Sequence, residues 1–309
     1  MKKMVIFRET DQINIDEPIV LALGFFDGIH KGHQAVLQSA LTLAKEQAAV
    51  PIALTFYPHP MSVLAPEISV PLLISEKEKE ALLDQMGFKG LVVIKSTKEF
   101  LAQSAVSFLE KLKDIPKLVG IVTGENFGFG RGAEGNTELI SSYFSGSDVI
   151  VDTVPLKKEN ESIVSSTLIR ERILQGNVKE ASLMLGRNYS IHGDIVHGFR
   201  RGTRVLGFPT ANLKPEKGRV IPGDGVYATH AWVRGKRYPA ITNVGTNPTF
   251  GDKDKSIETF IFSFDENIYD ASFCIEWIDK IRDEIKFPDA DALRRQIEKD
   301  VEQAKEIMT

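Results

Sequence analysis

Ile19-Val20-Leu21-Ala22-Leu23-Gly24-Phe25-Phe26-Asp27-Gly28-Ile29-His30-Lys31-Gly32-His33-Gln34 decides how the first half of the chain is read. Ile19 to Leu23 is an unbroken apolar run that predicts a strand, and Leu37, Leu41 and Ala44 predict a helix over Gln34 to Glu46. Between them lies a glycine-rich turn. A strand end that runs through glycines into a helix N-terminus presents backbone N–H groups to an anion. Gly28 and Gly32 allow the backbone to approach a phosphate closely, and His30 and His33 can both point at it as donors. Such a site suits transfer of a nucleotidyl group, where positioning and electrostatics carry most of the chemistry and no protein nucleophile is required. Taken as two isolated histidines, the pair also fits an ordinary loop.

Working outward, the same alternation recurs. Strands are expected at Ile52 to Tyr57, Leu91 to Ile94, Leu118 to Thr123 and Val149 to Val154. Ser75-Glu76-Lys77-Glu78 supplies a capping box for a helix ending near Met86. This βαβα order is the pattern of a parallel sheet covered by helices. Helices over Ser166 to Leu174 and Val178 to Leu185 follow, the second with Asn177 as N-cap and Gly186 as its stop.

Beyond Gly186 the pattern changes to short alternating runs, at Tyr189 to Val196, Val226 to Val233, Arg237 to Thr242, Ile257 to Phe264 and Ser272 to Ile278. Gly, Pro and Asn turns separate them, which predicts an antiparallel all-β unit, a small barrel. Leu293, Ile297, Val301, Ala304 and Met308 lie at helical spacing and predict a closing helix. The expected division is therefore 1–186 and 187–309, an α/β domain followed by an all-β one.

Composition narrows the function classes. Of 309 residues, 42% are hydrophobic and 26% charged, which is ordinary for a globular protein. A net charge of -4 argues against a general nucleic-acid coat, which needs a basic face. The single cysteine, Cys274, cannot form an internal disulfide and points to a reducing compartment. Met1-Lys2-Lys3-Met4 leads into mixed polar residues, unlike a signal peptide, and no apolar run approaches the ~18 residues of a membrane span. A cytoplasmic protein that engages neither membrane nor nucleic acid is expected.

Gly24 to Gln34 resembles the H-x-G-H signature of the adenylyltransferase superfamily, and the preceding Phe-Asp-Gly resembles its FMN adenylyltransferase branch. Three further motifs in order support the branch. Thr55-Phe56-Tyr57-Pro58-His59-Pro60 resembles its second-strand motif, and Gly124-Glu125-Asn126-Phe127-Gly128-Phe129-Gly130 its flavin and nucleotide loop. Ser165-Ser166-Thr167-Leu168-Ile169-Arg170 resembles its S-S-T-x-I-R motif, where hydroxyls and a guanidinium at a helix start grip ATP phosphates. The resemblance implies a Rossmann-like nucleotidyltransferase domain. It assigns catalysis to His30 and His33, and nucleotide or phosphate binding to Gly24, Phe26, Asp27, Gly28, Gly32, Asn126, Ser165, Ser166, Thr167 and Arg170. Two other phosphate patterns fail: Gly130, Gly132 and Gly135 match G-x-G-x-x-G away from any strand end, and the P-loop-like Gly130 to Thr137 has Asn136 in the lysine position.

In the second half, Gly198 to Asn212 is a glycine-spaced basic loop able to fold over a diphosphate with its backbone N–H groups. Thr210 and Asn212 flank Ala211, so an extended backbone turns both side chains to one side, and their oxygens suit Mg²⁺. Read alone, the stretch also fits a turn and an edge strand. With Gly225-Val226-Tyr227-Ala228, Asn243 to Phe250 and Ile257-Glu258-Thr259-Phe260, it resembles the riboflavin kinase family. That family's fold is a six-stranded antiparallel barrel. The resemblance implies Thr210 and Asn212 as the metal pair, Glu258 as general base, and Gly202, Gly207 and Asn243 as nucleotide contacts. Ser263 and Asp270 depart from it, standing where relatives usually carry Asp and Gly. In this order the motifs resemble the bifunctional bacterial riboflavin kinase/FAD synthetase family. Riboflavin, FMN, FAD and ATP are then the expected ligands, with Mg²⁺ as cofactor. Two other readings stay open at this level: a synthetase whose barrel only binds flavin, and a flavin-sensing binding protein.

Overall fold

A computed structural model describes residues 3–67, 70–196, 210–246, 255–264, 266, 268 and 272–309. The chain divides into two compact units, Met1–Ser165 and Ser166–Thr309.

The first unit is built on six parallel strands: β1 (Val5–Phe7), β2 (Ile19–Leu23), β3 (Val50–Tyr57), β4 (Gly90–Lys95), β5 (Leu118–Gly124) and β6 (Ile150–Val154), ordered β1-β4-β3-β2-β5-β6. Both faces of the sheet are covered, so alternate residues of β2 enter different cores. Ile19, Leu21 and Leu23 join Leu54, Phe56, Ile94, Phe108 and Leu112, whereas Val20 and Ala22 join Val36, Leu37, Ala53, Val93 and Val122. That is why β2 reads as a continuous apolar run. The helices of this unit are α1 (Lys31–Glu46), α2 (Pro60–Leu64), α3 (Glu76–Met86), α4 (Lys98–Ala102), α5 (Ala105–Lys113) and α6 (Thr137–Tyr143), and a small hairpin, β7 (Lys158–Glu159) and β8 (Ser162–Ile163), ends it. The capping box at Ser75 forms as expected, and α3 ends at Met86 on left-handed Gly87. Helix α1 starts three residues before the apolar spacing indicates, because His30 caps it; its buried stripe is Val36, Leu37, Ala40, Leu43 and Ala44, with Leu41 at the margin.

The second unit opens with α7 (Ser166–Leu174) and α8 (Val178–Leu185). Strands β9 (Tyr189–Val196), β10 (Thr210–Pro215), β11 (Gly225–Val233), β12 (Lys236–Thr246), β13 (Lys255–Ile261) and β14 (Phe273–Arg282) close into an antiparallel barrel, ordered β10-β13-β12-β11-β14-β9. Side chains alternate as period two demands. Tyr189, Ile191, Tyr227, Val244, Ile257, Ile275 and Trp277 are buried among the described residues, with the hydroxyls of Thr229, Thr242 and Thr259 bonded in a chain at 2.9 Å per link. The closing helix α9 (Ala290–Met308) lies across β11, β12 and β14. Its apolar stripe meets Val226, Ala228 and Ile241, and Asp300 within that stripe is buried as well. Asp300 is tolerated there because it accepts from the Arg282 guanidinium at 2.8 and 3.0 Å and from Gln296 at 2.9 Å.

The division between units falls after Ser165, whereas the sequence texture changes after Gly186. Helices α7 and α8 look like a continuation of the α/β pattern, but they pack on the barrel. The Gly223 N–H donates to Ile173 O at 3.1 Å, the Tyr189 N–H to Ser182 Oγ at 3.3 Å, and α8 buries Val178, Ala181, Met184 and Leu185 beside β9 and β14. A fragment spanning 166–309 is therefore expected to melt well above one spanning 187–309. Fully burying a Val, Leu or Met side chain stabilises by roughly 1.5–3 kcal/mol each, and the shorter piece loses three. Thermal circular dichroism on both fragments checks this; equal midpoints would mean that α8 adds nothing to the barrel.

Candidate active sites

Strand β2 lies where the sheet order reverses, with β3 on one side and β5 on the other. Ligands of open α/β sheets bind in the crevice at such a point, beyond the carboxyl ends of the strands. The segment leaving β2 is neither helix nor strand. Phe26, Gly28 and Ile29 have φ of 52, 85 and 39°, so two non-glycine residues are held in the left-handed region. Gly24 is required by this turn, because a Cβ there would lie 2.6 Å from the Phe26 ring. The strain persists because the surroundings determine the path. The Asp27 carboxylate, 2% exposed, accepts the N–H groups of Leu73 and Ile74 at 3.0 and 3.3 Å. The Thr55 hydroxyl donates to Phe25 O at 2.8 Å, and the Gln34 amide to Ile29 O at 2.8 Å.

His30 and His33 stand at the start of α1 with rings stacked 3.7 Å apart. His30 Nδ1 accepts the His33 backbone N–H at 3.3 Å, which leaves its own proton on Nε2. Gly32 keeps this packing open, since a Cβ there would approach the His30 ring to 3.1 Å. His33 Nδ1 is enclosed without a hydrogen-bond partner, and Phe26 meets the ring edge-on at 5.4 Å. Burial, then the nearby His30 and Lys79, hold the His33 pKa well below the ordinary imidazole value. The His33 imidazole at this helix N-terminus thus stays a neutral donor until an anion arrives to favour charge on it.

The other expected contacts of this half are spread over several elements. Asn126 is exposed in the turn after β5, closed by Phe127 N–H to Gly124 O at 3.0 Å. Ser165 ends the first unit, while Ser166, Thr167 and Arg170 occupy the first turns of α7 in the second. At the two rejected phosphate patterns, Arg131–Ala133 forms a 3₁₀ turn and Asn136 caps α6 by accepting from Leu139 N–H at 2.9 Å. Lys79 was not anticipated. It is 8% exposed on α3, and its ammonium donates to Phe25 O at 2.9 Å and Thr55 Oγ1 at 3.3 Å. The signal was present in Ser75-Glu76-Lys77-Glu78-Lys79 but was masked by its run of charges, which reads as a solvated face.

In the barrel, register assembles the site. Asn212 pairs with Glu258, and Glu258 pairs on its other side with Asn243. Directly paired residues share a face, so these three form one transverse row on the outer surface, opposite buried Thr259. Thr210 lies two residues along β10 from Asn212, on the same face and paired with Phe260. All four are half-buried. Burial raises the Glu258 pKa above the usual carboxylate range. Ser263 sits just after β13 with φ 51°, at the end of the strand that carries Glu258. Gly202, Gly207 and Asp270 lie outside the described residues. Among the described residues there is no cluster of three or more His, Cys, Asp or Glu that could hold a metal.

Together the two arrangements define an enzyme that transfers phosphorus-containing groups. The FAD synthetase family model matches residues 12–168, and the riboflavin kinase family model matches residues 185–308. The chain is 35% identical over 289 residues to a bifunctional riboflavin kinase/FMN adenylyltransferase of Bacillus subtilis, covering 92% of this chain and 91% of that one. It is 34% identical over 285 residues to the Listeria monocytogenes protein of the same description, covering 91% and 90%. The chain belongs to the bifunctional riboflavin kinase/FMN adenylyltransferase family. A solved Streptococcus pneumoniae structure described as a macrolide-efflux protein is also similar, at 32% identity and a TM-score of 0.91, with 98% and 99% of the two chains covered. No helix among the described residues of this chain is long and apolar enough to cross a membrane.

Replacing Gly24 by Ala tests the strained turn. The methyl group meets a fully buried Phe26 ring, and overpacking of this kind destabilises by typically 1–3 kcal/mol. Chemical denaturation of Gly24→Ala is expected to show that loss, whereas Gly132→Ala, on the exposed 3₁₀ turn with nothing within 4 Å, is expected to show only the smaller penalty of its φ of 62°.

Proposed function

We propose that residues 1–186 adenylylate FMN and residues 187–309 phosphorylate riboflavin, a functional division that the matched ranges 12–168 and 185–308 support. The chain is a bifunctional enzyme that makes FMN from riboflavin and FAD from FMN, with ATP as donor in both steps. One observation carries this reading. A single chain holds a stacked imidazole pair at a parallel-sheet edge and an Asn-Glu-Asn row on a closed barrel, and the product of the second chemistry is the acceptor for the first.

In the adenylyl transfer, a phosphate oxygen of FMN attacks the α-phosphorus of ATP and pyrophosphate leaves. His30, with its proton on Nε2, is assigned the first donor to the phosphates, and neutral His33 adds a second whose protonation becomes favourable once phosphate is beside it. Gly24, Phe26, Asp27, Gly28 and Gly32 shape the backbone that receives the phosphates. Asn126, Ser165, Ser166, Thr167 and Arg170 are assigned to the nucleotide through their motifs.

In the kinase step, Glu258 takes the proton of the terminal ribityl hydroxyl as the γ-phosphoryl group arrives. Its raised pKa moves it toward the working pH, which improves a general base. The Thr210 hydroxyl and Asn212 amide are hard oxygen donors on the same face as Glu258, a set that fits Mg²⁺ retaining most of its shell as water and phosphate. Mg²⁺ held there by Thr210 and Asn212 would neutralise charge on the ATP phosphates. Asn243, across the row from Asn212, is assigned with Gly202 and Gly207 to the nucleotide. The cytoplasm suits this chemistry and the buried free thiol of Cys274.

His30→Ala/His33→Ala is expected to abolish FMN-to-FAD conversion while riboflavin phosphorylation continues, since losing one such donor costs ~10²–10³ in rate. Chromatographic separation of FMN and FAD reads both steps, and near-normal FAD synthesis would refute the roles given to the pair.

Glu258→Gln is expected to slow FMN formation by ~10²–10⁴ with little change in riboflavin affinity. A base works only when unprotonated, so activity falls as pH drops through the Glu258 pKa. The wild-type kcat/KM profile should therefore have an acidic limb above the usual carboxylate range, and that limb should vanish in Glu258→Gln. Thr210→Ala should regain part of its loss at higher Mg²⁺, whereas Glu258→Gln should regain none. A wild-type rate in Glu258→Gln would make the carboxylate structural.

A further inference from the structure

We propose that Lys79 is a positioning residue for adenylyl transfer, its buried ammonium gripping the Phe25 carbonyl and through it the turn that presents His30 and His33. The inference rests on the adenylyltransferase reading of the first unit. The Phe25 carbonyl receives two donors, Lys79 Nζ at 2.9 Å and Thr55 Oγ1 at 2.8 Å. It belongs to the peptide that enters Phe26, the first left-handed residue of the turn. Fixing that peptide plane sets the direction in which Asp27, Gly28 and the start of α1 leave β2.

The placement of Lys79 is specific. Ser75 starts α3 with both halves of its capping box formed, which puts position 79 one turn in, facing the sheet edge. Its ammonium also lies 5.2 Å from the centre of the Phe25 ring, which meets the His59 ring at 4.4 Å. Titratable groups near it come from three directions: Asp27 from the turn, Glu76 from α3 itself, and His33 from α1, with His30 stacked upon it. Burial lowers the Lys79 pKa to about 8 against the opposing pull of Asp27 and Glu76. An apolar side chain would fill this space without that burden but would donate to neither Phe25 O nor Thr55 Oγ1. Its charge also disfavours a proton on His33, keeping the imidazole neutral until phosphate binds.

The test uses the full chain and follows riboflavin, FMN and FAD with ATP and Mg²⁺. Lys79→Met keeps the length of the side chain and removes its charge and donors. FMN-to-FAD kcat is expected to fall by roughly 10²-fold, the effect of misplacing a reacting group by about 1 Å. KM for FMN should change little and riboflavin phosphorylation not at all. Thr55→Val removes the other donor to the same carbonyl. It should lower kcat in the same direction, and the double variant should lose less than the product of the single losses, because both act on one peptide. If Lys79→Met fails to fold, Thr55→Val with its kcat-selective loss decides the matter. Wild-type kcat in folded Lys79→Met, or in Thr55→Val, overturns the inference. Absence of FAD formation by the wild-type chain itself overturns the underlying reading instead.

Discussion

The carboxylate of Asp27 accepts two successive backbone N–H groups, from Leu73 and Ile74, and the first candidate site hangs on that tie. A buried carboxylate is costly unless its lone pairs are filled. Here the filling is done by backbone immediately before α3, so the same bonds that satisfy Asp27 join the strained turn to the helix bearing Lys79. A positive φ at Phe26 and Ile29 is unfavourable for each residue alone. It becomes the stable path because Gly24 leaves room for the Phe26 ring and because Thr55, Lys79 and Gln34 occupy the carbonyls of the turn.

The barrel meets a different constraint with the same economy. Closure removes its edges, and strict alternation sends Ile257, Thr259 and Ile261 inward while Glu258 and Phe260 point out. A one-residue slip of β13 would place Glu258 in the core and Thr259 at the site. The hydroxyl chain Thr229-Thr242-Thr259 opposes such a slip, since each buried hydroxyl would lose its partner. On the outer face, Glu258 sits beside the surface that α9 covers, between two amide side chains and next to Phe260, and this partial dehydration raises its pKa. The Arg282–Asp300 clamp holds the helix whose apolar stripe flanks that row.

Neither arrangement supplies a nucleophile. Both hold donors or acceptors at positions dictated by backbone geometry, a sheet switch point in one unit and strand register in the other. That suits reactions in which the substrates carry the reacting atoms and the protein contributes orientation and charge.

Much of this was legible in the linear order of residues. The continuous apolar run of β2, the capping box before α3, the left-handed stop at Gly186 and the alternation of β9 report their structures directly, because each depends on neighbours within a few positions. The candidate residues His30, His33, Thr210, Asn212 and Glu258 were named from motifs that are short and ordered. Three features were decided only by tertiary structure. Helices α7 and α8 look like α/β elements, yet they belong to the barrel unit, because helical periodicity specifies a buried face without naming what buries it. Asp300 lies on a charged closing helix and is buried, because its partner Arg282 comes from another element. Lys79 lies in a run of charges and yet is enclosed, because the carbonyl that accepts from it is 54 residues away. Local pattern determined which elements form and which chemistry they carry; contacts between distant residues determined which charges are buried, since burial is a property of what packs alongside.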